Sequence, residues 1–144
     1  MAEVLVDSNV LLDVLTEDPR WYARSSSRLA AVAEDNVLVI NPIVYAEVSV
    51  GFARIEDADA AMPAELFRRE ALPWEAGFLA GKCFLRYRRY GGSRRSPLPD
   101  FYIGAHAAVR GIPLLTRGRG PVPDVFSPAR AAAPVISGTR RLRS

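Results

Sequence analysis

Val4-Leu5-Val6-Asp7-Ser8-Asn9-Val10-Leu11-Leu12-Asp13 is the stretch whose reading sets the fold. Glu3 to Val6 fits a short buried strand, and Asp7-Ser8-Asn9 can cap a helix carrying Val10, Leu11, Val14 and Leu15 at helical spacing. An acid placed between a strand and the next helix lies where open parallel sheets build their sites, outside the carboxyl ends of the strands.

Further along, Pro19 opens a second predicted helix that ends through Leu29, Val32 and Ala33. Asn36 then turns the chain into Val37-Leu38-Val39-Ile40, an unbroken apolar run typical of a strand covered on both faces. Asn41-Pro42 starts another helix, with Pro where its missing N–H does no harm. Residues 56–73 are polar and contain Pro63 and Pro73, which predicts a helical excursion with loose ends. Trp74 to Tyr90 reads as a long helix broken by Gly91-Gly92-Ser93, leaving an Arg-rich loop up to Pro97. Asp100 to Arg110 is helical and stops at Gly111, and Ile112 to Thr116 is a last strand. Strands alternating with helices predict an α/β fold, a parallel central sheet with helices on both faces. Beyond Gly118 no regular period remains, so residues 118–144 read as an atypical, irregular segment with a disordered end.

With 144 residues the chain is expected to form one domain, and its 49% hydrophobic content is that of an ordinary globule. No apolar run approaches the roughly 20 residues that span a bilayer. No signal-peptide pattern opens the chain, so no membrane association and a cytoplasmic location are expected. Cys83 is the lone cysteine, which excludes an intramolecular disulfide and a Cys-based zinc site; a core position on a helix is expected for it. The net charge of +3 is unevenly spread. Arg86, Arg88, Arg89, Arg94 and Arg95 alternate with Tyr87 and Tyr90, and Arg140, Arg141 and Arg143 crowd the end. Planar guanidinium forks suit phosphate and aromatics can stack on bases, so Arg86, Arg89, Arg94 and Arg95 are candidate RNA contacts. A solvated helix end is the plain alternative.

Asp7, Glu47 and Asp100 fall on three predicted elements that can converge on one cleft. Clustered carboxylates repel, and burial raises their pKa values, so such a cluster is stable mainly when a cation neutralises it. Mg2+ or Mn2+ takes hard oxygen ligands and fills its remaining positions with water and substrate phosphate. A cation there can activate water against a phosphodiester and stabilise the departing oxygen. The plain readings are an N-cap for Asp7 and a dipole-favoured first-turn acid for Asp100. Glu47 shares an apolar face with Val44, Val48 and Phe52, which is harder to explain structurally. Asp13 and Glu17 read as exposed helix positions, and His106 as a packed helix residue. A phosphoryl-transfer aspartate fits Asp7 poorly, since Asn9 stands two residues on and Lys82 lies within a helix.

Three motifs in order now resemble a family: the opening stretch, Asn41-Pro42-Ile43-Val44-Tyr45-Ala46-Glu47, and Leu98-Pro99-Asp100-Phe101-Tyr102-Ile103-Gly104-Ala105-His106-Ala107 through Pro113-Leu114-Leu115-Thr116-Arg117. Over residues 3–117 the chain resembles a PIN domain, most closely the VapC toxins of bacterial toxin–antitoxin pairs. The resemblance implies a three-layer α/β/α fold across residues 1–117. It also implies a Mg2+-dependent endoribonuclease, with Mn2+ as an alternative ion, that forms a homodimer and is silenced by a VapB-type antitoxin. By motif match Asp7, Glu47 and Asp100 would be the catalytic acids, Asp7 and Asp100 metal ligands, and Ser8 and Thr116 polar neighbours. An antitoxin is expected to cover apolar surface along the helices of residues 8–34 and 42–54.

The family pattern continues Thr-Arg-Asp, and here the last position is Gly118. Asp124, behind Pro121 and Pro123, is the only acid beyond it. Gly120 to Pro128 can be back-translated as GGC-CCG-GTA-CCG-GAC-GTA-TTT-TCC-CCG. Read from the second base, this gives Ala-Arg-Tyr-Arg-Thr-Tyr-Phe-Pro, the usual family continuation. Upstream, removing one G from CGG-GGA-CGC-GG gives CGG-GAC-GCG, which restores Arg-Asp-Ala. The third bases are free choices, whereas the first and second are fixed by the sequence. This pattern suggests a one-base slip in a G-rich stretch, with residues 118–144 out of frame.

Overall fold

The computed structural model describes residues 1–92, 99–117 and 139–141. Its sheet has the order β3-β2-β1-β4-β5, with β1 (Ala2–Val6) at the centre. Strand β1 runs parallel to β2 (Asn36–Ile40), with Val4 opposite Leu38, and to β4 (Pro113–Leu115), with Val6 opposite Leu115. Strand β3 (Phe67–Arg69) lies parallel to β2 at one edge, and β5 (Thr139–Arg141) lies antiparallel to β4 at the other. Val4, Leu5 and Val6 are all buried, as are Leu38, Val39 and Ile40. Successive strand side chains point to opposite faces, so both faces of the sheet are covered and the fold is a three-layer α/β/α.

The helices are α1 (Ser8–Leu15), α2 (Tyr22–Asp35), α3 (Pro42–Ser49), α4 (Ile55–Ala61), α5 (Trp74–Arg89) and α6 (Pro99–Arg110). Asn41 caps α3 by accepting the Val44 N–H at 2.9 Å, with Pro42 just inside. Helix α6 is buried on nearly every side, from Phe101 to Ala108 with only Tyr102 partly exposed, and it ends at Gly111, whose φ of +66° suits glycine. The Asp7 N–H donates to the Leu115 carbonyl at 2.9 Å, so the chain leaves β1 beside the end of β4. Among the described residues no helix is long and apolar enough to cross a membrane.

Several sequence expectations need correction. The second helix starts at Tyr22 instead of Pro19, because the Asp18 carboxylate accepts the N–H groups of Arg20 and Trp21 and holds them in a turn. The stretch 56–73 contains strand β3 as well as α4; only Phe67 of that strand is buried, so it has no apolar signature. Helix α3 stops at Ser49, short of residue 54. Thr139–Arg141, read as part of a disordered end, form β5. Arg94, Arg95, Gly118, Asp124 and Arg143 lie outside the described residues.

Candidate active site

Asp7 occupies the N-cap position of α1 but makes no side-chain cap hydrogen bond; its carboxylate is tied across the sheet instead. Thr116, just past β4, donates its hydroxyl to Asp7 Oδ2 at 3.0 Å. Ser8 donates its hydroxyl to Glu47 Oε1 at 2.6 Å and stands 3.4 Å from Asp7 Oδ1. Ser8 and Thr116 thus bond the carboxylates of Glu47 and Asp7, and Ser8 joins the acid after β1 to the acid on α3. Asp100 is the second residue of α6 and is half-buried.

The electrostatics link all three acids. Burial pushes the Asp7 carboxyl up to about 6, with further upward pressure from Asp100 and Glu47, against the Thr116 hydrogen bond. Burial and then Glu47 push the Asp100 carboxyl up as well. A first-turn acid serving only the helix dipole would move the other way, since the positive helix end favours its ionised form. Neighbouring carboxylates raise the pKa values of Asp7 and Asp100, and among the described residues no positive charge offsets them.

Among the described residues no three His, Cys, Asp or Glu side chains stand close enough together to hold an ion as they are. The donor set still suits a hard divalent cation. Mg2+ commonly takes one or two carboxylates and completes its shell with water and substrate phosphate. Asp7, whose ionisation burial opposes, is the group such a cation would relieve most.

Around this trio lies a clamp that sequence reading missed. Asp13 is buried, only 2% exposed, and is not the surface residue expected. Arg117 grips it through both ends of its fork, Nε to Oδ2 at 3.0 Å and Nη2 to Oδ1 at 3.1 Å, and Ser25 donates to Oδ2 at 2.6 Å. Bidentate pairs of this kind fix orientation as well as distance. The Arg117 N–H also donates to Asn9 Oδ1 at 3.2 Å. Arg117 thereby pins the end of β4 to α1, which holds the preceding Thr116 against Asp7. The spacing of Asp13 from Asp7, six residues on the same element, was the only sequence signal available. Glu17, by contrast, is exposed as expected, in the turn after α1 with φ 49°.

A second acidic network lies further down α6. Arg110 donates to Glu70 and to Glu3, Arg68 pairs with both acids, and His106 contacts Glu70 Oε2 at 2.6 Å. His106 Nδ1 lies 2.9 Å from Asn41 Nδ2, and the Asn41 oxygen is engaged by Val44. Asn41 must donate, so a neutral His106 accepts at Nδ1 and donates from Nε2 to Glu70. His106 is packed within its helix as expected, and it also joins α6 to α3. Cys83 is buried on α5, also as expected, and burial pushes its thiol up to about 11. Arg86 and Arg89 stand exposed on the last turn of α5.

The PIN domain family model matches residues 4–122, and the chain belongs to the PIN domain family. Among curated protein sequences none matches. Solved structures share the fold. One is VapBC2 from Rickettsia felis bound to a DNA fragment from their promoter: 18% identity, 81% of this chain, 87% of that one, TM-score 0.61. Others are VapBC-1 from nontypeable Haemophilus influenzae, with 20% identity, 81% and 87% coverage and TM-score 0.59, and FitAcB from Neisseria gonorrhoeae, with 19%, 85% and 92%, and 0.62.

Proposed function

We propose that this PIN domain is a metal-dependent endoribonuclease toxin whose centre is Asp7, Glu47 and Asp100. The observation that carries the reading is the upward push on Asp7, by burial and then by Asp100 and Glu47, and on Asp100, by burial and then by Glu47. Asp7 and Asp100 would hold Mg2+, or Mn2+ in its place. The cation would supply activation of water and stabilisation of charge on the departing oxygen of a phosphodiester. Ser8 donates to Glu47 and stands beside Asp7 Oδ1, and Thr116 holds Asp7 Oδ2, so the two hydroxyls would fix the acids for that cation. RNA incubated with the protein should be cut with Mg2+, and left intact with EDTA or by Asp7→Ala; equal cutting under all three conditions refutes the proposal.

The fold shared with VapBC complexes supports a VapB-type antitoxin as partner, and a homodimer is part of the same proposal. A groove of about 460 Å³ between α2 and β3, lined by Leu29, Ala33, Val37 and Leu66, supplies apolar surface on one of the expected helices. Size-exclusion chromatography with light scattering checks the dimer: the mass of a single chain would contradict it.

A second reading is favoured by Gly118, which stands where the family pattern has an acid. On this reading the chain still pairs with its antitoxin but binds metal weakly and cuts poorly. The proposed one-base slip makes a specific prediction. Sequencing the G-rich stretch, or intact mass spectrometry, should reveal the alternative frame; a gene with no family-like frame downstream sinks the slip.

A further inference from the structure

Three guanidinium groups gather on one ring where α2 begins. Arg20, Arg117 and Arg24 lie 4.9, 5.1 and 5.9 Å from the centroid of Trp21. Arg117 spends its fork on Asp13, but Arg20 and Arg24 are exposed. Among the described residues no acid forms an ion pair with Arg20, Arg24 or Arg28. Arg24 and Arg28 stand on successive turns of α2, a like-charge spacing that destabilises a helix, and burial and Arg24 push the Arg28 pKa down. The first turn of α2 has no acid to offset this charge. Asp18 is near and keeps its negative charge, but its Oδ1 accepts the backbone N–H groups of Arg20 and Trp21 and it forms no ion pair with these arginines.

This basic ridge adjoins the acidic centre. Trp21 touches Arg117, whose N–H bonds Asn9 and whose neighbour Thr116 bonds Asp7. A guanidinium lying over an aromatic ring keeps its N–H edge free for the phosphate fork while losing side-chain freedom. We infer that Arg20 and Arg24, held in place by Trp21, bind backbone phosphates of single-stranded RNA beside the bond that is cut. This rests on the RNA-cleaving reading. It moves the substrate surface from the end of α5 to the start of α2, and it makes Trp21 a positioning residue instead of a base-stacking platform.

The test measures binding without metal, so that cleavage does not intrude. A fluorescein-labelled 12-nucleotide RNA of mixed sequence is titrated with the full chain in EDTA at several salt concentrations. Each phosphate neutralised on a single strand contributes about 0.7 to the slope of log K against log salt. Arg20→Gln with Arg24→Gln should weaken binding and flatten the slope by about 1.4. Lys at both positions should restore the slope, and Trp21→Leu should weaken binding with the slope unchanged. An unaltered slope in the double Gln variant overturns the inference, as does a loss of slope in Arg86→Gln with Arg89→Gln alone. A double Gln variant that keeps its RNA slope but no longer binds a polyglutamate peptide also overturns it, since the ridge would then be a protein-docking surface. If the wild type cuts RNA and the double variant binds it equally well, the ridge fails and the nuclease stands. If the slope falls in a protein that never cuts RNA, the nuclease fails and the ridge stands.

Discussion

Asp7 and Glu70 are both carboxylates in polar networks, yet burial with neighbouring acids pushes the first up to about 6, while Arg110 hydrogen bonds pull the second down to about 2. Around Glu70 the chain supplies its own cations, Arg110 and Arg68, and a donating His106. Around Asp7 it supplies two more acids and two hydroxyls. A network that carries its own counter-ions needs nothing further and stabilises the fold. A network that lacks them is of the kind a bound cation would complete. That difference, more than burial alone, makes Asp7 the candidate for chemistry and Glu70 the candidate for holding the fold.

The largest effect expected is on activity. Asp7→Ala should lower RNA cleavage on the order of a thousandfold, because a metal site contributes several kcal/mol of transition-state stabilisation. Cleavage within tenfold of wild type would remove Asp7 from the chemistry.

The same residue should affect stability in the opposite sense. Its carboxyl has a raised folded-state pKa, so its favourable contribution is present in acid and is lost as pH rises from the unfolded value of 3.8 through about 6. At pH 7.5 Asp7→Asn should therefore be more stable than wild type, by up to about 3 kcal/mol. Denaturant unfolding at pH 4 and pH 7.5 checks this; a less stable variant at pH 7.5 breaks the contrast with Glu70.

Glu70 should show the reverse. Its depressed pKa contributes stability above the unfolded value of 4.5 that is lost as pH falls toward about 2. Arg110→Met should cost about 2 kcal/mol at neutral pH, the scale of hydrogen bonds to charged groups, and should diminish that acid-limb loss. Thermal melts from pH 2 to 7 would show both. The smallest effect sharpens the contrast within the site. Asp13→Asn should destabilise by about 1 kcal/mol, since Arg117 is partly solvated, and weaken Mn2+ binding about tenfold by loosening Thr116. Combined with Thr116→Val it should weaken metal binding no further, and full additivity would show that the clamp does not act through Thr116.

Much of this was legible in the residues themselves. The unbroken apolar runs at Val4–Val6 and Val37–Ile40 announce strands covered on both faces, and the parallel sheet follows from their alternation with helices. Asp7 and Asp100 could be singled out because each is an acid at the edge of an apolar element, and Glu47 because it interrupts an apolar helix face. Strand β3 was hidden because three residues with one buried side chain carry no period. Asp13 was hidden because its partner, Arg117, is 104 residues away, and local spacing alone made it an exposed helix position. The Glu70 network was hidden for the same reason: its partners at positions 3, 68, 106 and 110 meet only once the sheet is assembled. Periodicity reports local structure, and long-range polar pairs leave no trace in it.

Calorimetric titration of Mn2+ into the wild-type chain and into Asp7→Asn at pH 7.5 tests the central claim most directly, that the Asp7, Glu47 and Asp100 cluster is a centre awaiting its cation. Saturable binding by the wild type, weakened at least tenfold in Asp7→Asn, is the predicted result. Equal binding by the two proteins, or none by the wild type, would contradict it.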